Sequence, residues 1–264
     1  MPSRDRYIIP ELRDAWPATA RLAAGEAPRV TSILALLAKE ALVPWAAKLE
    51  RAHMLDAMRR VLSAPTDGLA RVLTDPSAVW PEAAQVACDL VGAAAGKYSY
   101  MRESRRAMDW GTRIHEAIEA RLTDKPLPDL SESQLAALEQ WQQWADETRF
   151  TVLDTERQVW HPEHRYAGRL DMLARLRVGP EITVVVDWKS SRDIYPEYSI
   201  QLAAYVRAVE RLDGISDVAG VIVRIPKTEG DRIEPRLILA SDMEDHWQAF
   251  LALRRLWEWR SCNG

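Results

Sequence analysis

The sequence predicts a mixed α/β fold: a mixed central sheet flanked by helices, with an N-terminal helical elaboration. Three observations carry this. From Arg149 onward, three segments rich in apolar residues read as consecutive strands joined by short turns. A helical segment, PEYSIQLAAYVRAVERL, then separates the third strand from two more. Two helical segments precede the first strand, and one closes the chain. The order from Met101 is therefore helix, helix, strand, strand, strand, helix, strand, strand, helix. That order gives an antiparallel start followed by a crossover helix.

Bulk properties narrow the class. The chain has 264 residues, enough for one large domain or a core with an elaboration. We expect residues 1–100 to be an extended and helical elaboration packed on a core at 101–264. Hydrophobic content of 47% and charged content of 28% are those of an ordinary globular protein. No apolar run reaches the ~18 residues of a membrane span. The segment MPSRDRYIIPELRD lacks a signal-peptide core. A cytoplasmic location without a membrane partner is expected. The two cysteines, Cys88 and Cys262, cannot make a four-cysteine metal or iron–sulfur site and suggest no disulfide framework. The net charge of −4 means that any nucleic-acid binding must come from a local patch. Lysine is scarce beside arginine, and Lys189 stands in an apolar context where arginine would not do the same chemistry.

Each element follows from local signals. Residues 1–28 are proline-punctuated and read as irregular, wrapping the body. Thr31 or Ser32 can cap a helix carrying Ile33, Leu36 and Leu37, and Pro44 can open a second helix. Arg29, Thr31 and Ser32 can also present a cation and a helix N-terminus to a phosphate. Pro65, Gly68, Pro76 and Pro81 break the next stretch into short pieces, with a helix from Pro81 to Val91. A long helix runs from about Met101 to Leu122. Near its start, Lys97, Arg102, Arg105, Arg106 and Arg113 are interleaved with Tyr98, Tyr100 and Trp110. Basic residues mixed with aromatics can contact phosphates and stack on unpaired bases. Ser131-x-x-Gln134 is a capping box for the next helix, and Ser241-x-x-Glu244 for the last. FTVLDTERQVW reads as one strand, HRYAGRLDMLARLR as the second and EITVVVDWKS as the third. His161-Pro-Glu-His164 reads as the turn between the first two rather than a zinc pair.

The chemistry concentrates between Tyr166 and Tyr205. A turn over residues 178–180 pairs Arg177 near Glu181 and brings Asp171 opposite Asp187, within one residue. Two opposed carboxylates at the ends of apolar strands call for a cation between them. Asp187 and Lys189 project to one face, Trp188 to the other, and the Trp188 backbone carbonyl can still reach a metal. Asp171 and Asp187 would hold Mg²⁺ or Mn²⁺, and Lys189 would position water or offset transition-state charge. Gln201 and Tyr205 share a helix face four residues apart and can hold the lysine or a phosphate.

Gly111-Thr-Arg-Ile-His115, Gly168-Arg-Leu-Asp171, Asp187-Trp-Lys189 and Gln201-Leu-Ala-Ala-Tyr205 together resemble the motif set of the PD-(D/E)XK nuclease superfamily, in its RecB-like exonuclease branch. PRVTSILALL is similar to the opening of phage and mitochondrial genome-maintenance exonucleases of that branch. The resemblance implies a restriction-endonuclease-like core and makes His115 a further metal ligand. Glu156 looks like the acidic residue that often precedes this site. An imidazole beside carboxylates favours Mn²⁺ over Mg²⁺. Glu119, one turn after His115, is a weaker candidate. The iron–sulfur members need four cysteines, so no cluster is expected. No phosphate-binding Gly-x-x-x-x-Gly-Lys-Ser/Thr loop occurs, so no ATP is expected.

The expected activity is a Mg/Mn-dependent exodeoxyribonuclease working from DNA ends in phage or bacterial recombination, replication or repair. Its partner would be DNA, single-stranded or with a free end, together with recombination proteins, in a bacterial cell or phage-infected host. Two alternatives stand beside it: a structure-specific or restriction-like endonuclease on the same core, and a non-catalytic DNA-binding module.

Overall fold

The computed structural model describes residues 6–19, 22–37, 42–63, 85, 88, 89, 91, 99–177, 179–228 and 230–263. Only the backbone course is described for residues 42–46, 61–63, 99–102, 262 and 263. The chain divides into two compact units, Met1–Leu37 with Trp110–Gly264, and Ala38–Asp109.

The first unit carries a five-stranded mixed sheet flanked by helices, the architecture the sequence predicts. Its strands are β3 (Thr151–Thr155), β6 (Met172–Arg177), β7 (Glu181–Lys189), β8 (Ala219–Arg224) and β9 (Glu234–Ile238), in the order β3-β6-β7-β8-β9. The first three pair antiparallel, β7 and β8 pair parallel, and β8 and β9 pair antiparallel. The parallel step requires a crossover, supplied by α5 (Pro196–Asp213). Pro196 opens that helix and Gly214 ends it in the left-handed region at φ 65°.

The pleat of β7 sorts the core into two layers. Val184, Val186 and Trp188 bury against α3 (Ser99–Leu122), through Ile114, Ala117 and Ile118, and against α4 (Glu132–Thr148), through Ala137, Leu138 and Trp141. Val185 faces the other way, toward Leu202, Val206 and Val209 of α5 and Phe250 of α6 (Met243–Asn263). Successive strand residues point to opposite faces, so Asp187 and Lys189 continue the Val185 face and look toward α5.

Two strands expected as continuous are broken. β3 stops at Thr155, and β4 (Gln158–His161) resumes after a residue of positive φ, Glu156 at 50°. β5 (Tyr166–Arg169) likewise stops before β6. β4 and β5 pair with each other as a separate two-stranded sheet, from Gln158↔Arg169 to His161↔Tyr166. The hairpin is thus one ribbon bent at Glu156–Arg157 and Leu170–Asp171. The bend is bridged by Glu156 N–H donating to the Asp171 carbonyl and Leu170 N–H to that of Arg157, both at 3.0 Å.

The N-terminal segment forms a small pair, β1 (Arg6–Ile8) and β2 (Glu26–Pro28), and lies on β5 through an Arg29↔Ala167 bridge. Arg165 fastens it by donating to the carbonyls of Pro17, Ala23 and Glu26. Thr31 and Ser32 do not cap a helix. α1 (Val30–Leu34) starts at Val30, ahead of both, with extended Arg29 as its N-cap and no side-chain cap. β2 ends at Pro28, so the chain turns into the helix before either hydroxyl is reached. The Ser131–Gln134 capping box forms as expected. Ser241 instead falls in a 3-10 turn, Ala240–Asp242, and α6 begins after it at Met243. The second unit contains α2 (Leu42–Ser63), whose first turn includes Pro44, and the first turns of α3. The helix expected at Pro81–Val91 lies largely outside the described residues.

Candidate metal centre

The bend in the ribbon builds the site. Glu156 and Asp171 face each other across the ribbon, one step beyond the Thr155↔Met172 pair. At the bend they stand side by side, just past the last β6–β7 pair, Met172↔Val186. Asp171 is held there because its Oδ2 accepts the Trp188 N–H at 2.7 Å. Its Oδ1 lies 3.5 Å from His115 Nδ1, which arrives from α3. Glu156 Oε2 is braced by Arg169 Nε at 2.9 Å. One ligand atom each from His115, Glu156 and Asp171 lies within 4.8 Å of the others. Two carboxylate oxygens and an imidazole nitrogen at this separation could hold a divalent metal ion.

A second cluster adjoins the first along the Asp187–Lys189 face. Lys189 Nζ pairs with Asp187 Oδ2 and donates to Gln201 Oε1 at 3.1 Å. Gln201 Nε2 donates to Tyr205 Oη at 3.0 Å and reaches Asp187 Oδ1 at 3.4 Å. Asp187 and Tyr205 are almost fully buried. Tyr198, one turn before Gln201, sets its ring 4.9 Å from the Lys189 ammonium.

The electrostatics follow from burial and crowding. Burial pushes the Asp187 carboxyl up to about 6, with the Asp171 charge adding to the effect and Lys189 opposing it. Asp171 is drawn the other way. Burial would raise it, but His115, Lys189 and the Trp188 N–H outweigh that and hold it below the usual range. Burial opposes charge on His115 and on Lys189, yet the neighbouring carboxylates leave both above their ordinary values. Glu156 is raised by burial and by the Asp171 charge. Three acids drawn together with their proton affinities driven apart form a site that gains from a bound cation.

Two glycines make room for these groups. A Cβ on Gly168 would lie 2.5 Å from Cε1 of Tyr205, so the glycine of the Gly168–Asp171 motif leaves the space that the Tyr205 ring occupies. A Cβ on Gly111 would lie 2.5 Å from the Ser190 hydroxyl, where α3 passes the turn after β7.

The remaining sequence candidates are placed as follows. Trp188 buries its ring between Trp141 and Trp144, on the face away from Lys189. Glu119 pairs with Lys125 at 2.8 Å. Trp110 donates its indole N–H to Ser133 and lies beneath the Lys227 ammonium. Arg113 is half-exposed, 4.0 Å from Glu116. Arg29 stacks over the Tyr7 ring at 4.7 Å. In the second unit, Arg105 is exposed and Arg106 pairs with Glu103. The side chain of Arg102 and all of Tyr98 lie outside the described residues. His161 and His164 fall at the β4–β5 turn, with ring centroids 4.6 Å apart.

No family model matches the chain, and no curated protein matches it. Among solved structures, it is similar to an alkaline exonuclease from Laribacter hongkongensis at 16% identity and a TM-score of 0.29. That match covers 58% of this chain and 84% of that one. It is also similar to the crystal structure of SSO0001 at 17% identity and a TM-score of 0.25, covering 56% of this chain and 70% of that one. Likeness at this level brings no function to the chain.

Two features of the site carry little or no mark in the sequence. Tyr198 reads as an ordinary helical residue, and its only signal is its place one turn before Gln201. The second is the bend: Glu156 was visible as an acid, but nothing in TVLDTERQVW marks it as the residue where the strand breaks.

Proposed function

We propose that the chain is a divalent-metal-dependent DNA nuclease of the PD-(D/E)XK kind, an exonuclease of the RecB-like branch acting in phage or bacterial recombination, replication or repair. One observation carries the reading. Donor atoms from His115, Glu156 and Asp171, brought from three separate segments, lie within 4.8 Å of one another beside the buried Asp187–Lys189 pair. An ordinary surface ion pair needs no such convergence, and burying it costs more than it returns.

His115, Glu156 and Asp171 would hold Mg²⁺ or Mn²⁺, with Asp187 and the Trp188 carbonyl completing the set. A divalent ion there supplies Lewis-acid activation of water and charge neutralisation at the phosphate. The chain's own residues do the rest. Asp171 orients His115 through their contact and is itself oriented by the Trp188 N–H. Gln201 holds the Lys189 ammonium in place while Tyr205 holds Gln201. Lys189 stays protonated among the acids and presents its positive charge where the phosphorane charge develops. Trp110 and Arg113 are the described candidates in this unit for guiding DNA toward the centre, and Arg29 a further phosphate contact.

The test is digestion of 5′- and 3′-labelled linear DNA, single- and double-stranded, with Mn²⁺ or Mg²⁺. Degradation should require the metal and should fall by at least about 10³-fold in Asp171→Asn and Lys189→Met. Calorimetric Mn²⁺ binding should be lost in Asp171→Asn and kept in Lys189→Met. A covalently closed circle should survive. Metal-independent degradation, or full activity in Lys189→Met, would refute the reading.

A further inference from the structure

Residues 190–195 lead from the end of β7 to α5, and two aromatic rings accompany the turn. Tyr198 is the inner one. The Lys189 ammonium lies over it at 4.9 Å. Tyr195 is the outer one. It meets Tyr198 edge-on, with centroids 5.6 Å apart and planes at 75°, and 37% of its surface remains exposed. Lys189, Tyr198 and Tyr195 thus form a stair from the buried reaction centre to solvent.

The two rings differ in what they have left to offer. Tyr198 already holds the ammonium. Tyr195 is the N-cap residue of α5 but performs no side-chain capping. Pro196 follows it and confines its backbone to the extended region, observed at φ −86° and ψ 150°. With its backbone so confined and its ring packed edge-on against Tyr198, Tyr195 has less freedom to lose at binding. Its chain neighbours Ile194 and Pro196 carry no charge, and the exposed ring offers an uncharged aromatic surface that suits a base.

We propose that Tyr195 is a stacking platform for an unpaired nucleobase belonging to the strand whose phosphate reaches Lys189. This rests on the nuclease reading and deepens it. A base inside a duplex has both faces covered, whereas a single-stranded or frayed end offers one, so the preferred substrate is a single-stranded end.

The test uses the full chain and single-stranded oligonucleotides. Base–aromatic stacking contributes about 1–3 kcal/mol per base, so Tyr195→Ala should raise KM roughly 5- to 150-fold, with the loss on KM rather than kcat. Tyr195→Phe should restore most of it. On an oligonucleotide abasic at its terminal positions, wild type and Tyr195→Ala should converge. An unchanged KM in Tyr195→Ala overturns the proposal, as does a loss that persists in full on the abasic strand. A second arm needs no cleavage. With Ca²⁺ present, a terminal 2-aminopurine should be quenched on binding wild type and not on binding Tyr195→Ala. If wild type degrades no DNA, the nuclease reading fails, and this quench still decides the role of Tyr195. Equal quenching by both proteins overturns it.

Discussion

Gly168 and Gly111 look alike as motif glycines, but they face obstacles of different stiffness. The Cβ of Gly168→Ala would press on the Tyr205 ring at 2.5 Å and on Val30 at 3.3 Å, both in the packed core. Tyr205 cannot yield without dragging Gln201 away from Lys189. We expect Gly168→Ala to cost about 1–3 kcal/mol, read by denaturant unfolding, and to lower activity further than that loss explains. At Gly111 only the Ser190 hydroxyl stands in the way, and it can rotate; beyond it the Ser190 Cβ is 3.6 Å off. Alanine also favours a helix over glycine by about 1 kcal/mol. Gly111→Ala should therefore unfold no earlier than wild type, and in a Ser190→Ala background it should gain stability. Both glycines are visible in the sequence. The difference between them is not, because it lies in residues 37 and 79 positions away, Tyr205 and Ser190.

The bent ribbon is the decisive element. A straight hairpin would present Asp171 and Asp187 to one another, as strand periodicity predicts. The same register sets Glu156 opposite Asp171 on the other side, one step beyond Thr155↔Met172, and the ribbon bends where these acids stand, with His115 3.5 Å from Asp171. Alternation carries on through TVLDTERQVW, so the pattern gives no sign of the break, and the positive φ falls on a glutamate rather than on a residue that advertises a turn. A left-handed conformation costs a non-glycine residue about 1–2 kcal/mol. Glu156→Gly should then hold or raise the melting temperature while weakening Mn²⁺ binding by roughly tenfold or more in calorimetry. A variant that lost stability and metal affinity together would show that the Arg169–Glu156 contact holds the bend. By contrast, the β6–β7 turn, the Arg177↔Glu181 pair and the crossover helix were legible, because each depends on neighbouring residues alone.

At the scale of the whole first unit, the centre sits where the two helical layers meet beyond the end of β7. α3 brings His115 from one layer, and α5 brings Gln201 and Tyr205 from the other. The α5 layer is closed by α6, whose Trp247 stacks on His161 at the β4–β5 turn, 5.6 Å between centroids. Burial, then the charge of His164, lowers His161 to about 4. Between about 4 and 6.5 the unfolded chain binds the proton that the folded chain refuses. This contribution is thus complete above pH 6.5 and is lost as the pH falls toward 4. We expect it to amount to about 1–2 kcal/mol, seen as a melting temperature that falls more steeply with acid in wild type than in His161→Gln.

The alternation along β7 has an evolutionary consequence. Its odd-numbered side carries Val185, Asp187 and Lys189, and its even-numbered side carries Val184, Val186 and Trp188. Losing or gaining one residue within the strand would exchange the two sides beyond that point, sending the lysine among the tryptophans and a tryptophan into the candidate metal centre. An insertion at the Gly179–Pro180 turn leaves that parity untouched. Length variation among descendants of this sequence should therefore collect at that turn and spare the strand, whatever else in the molecule drifts.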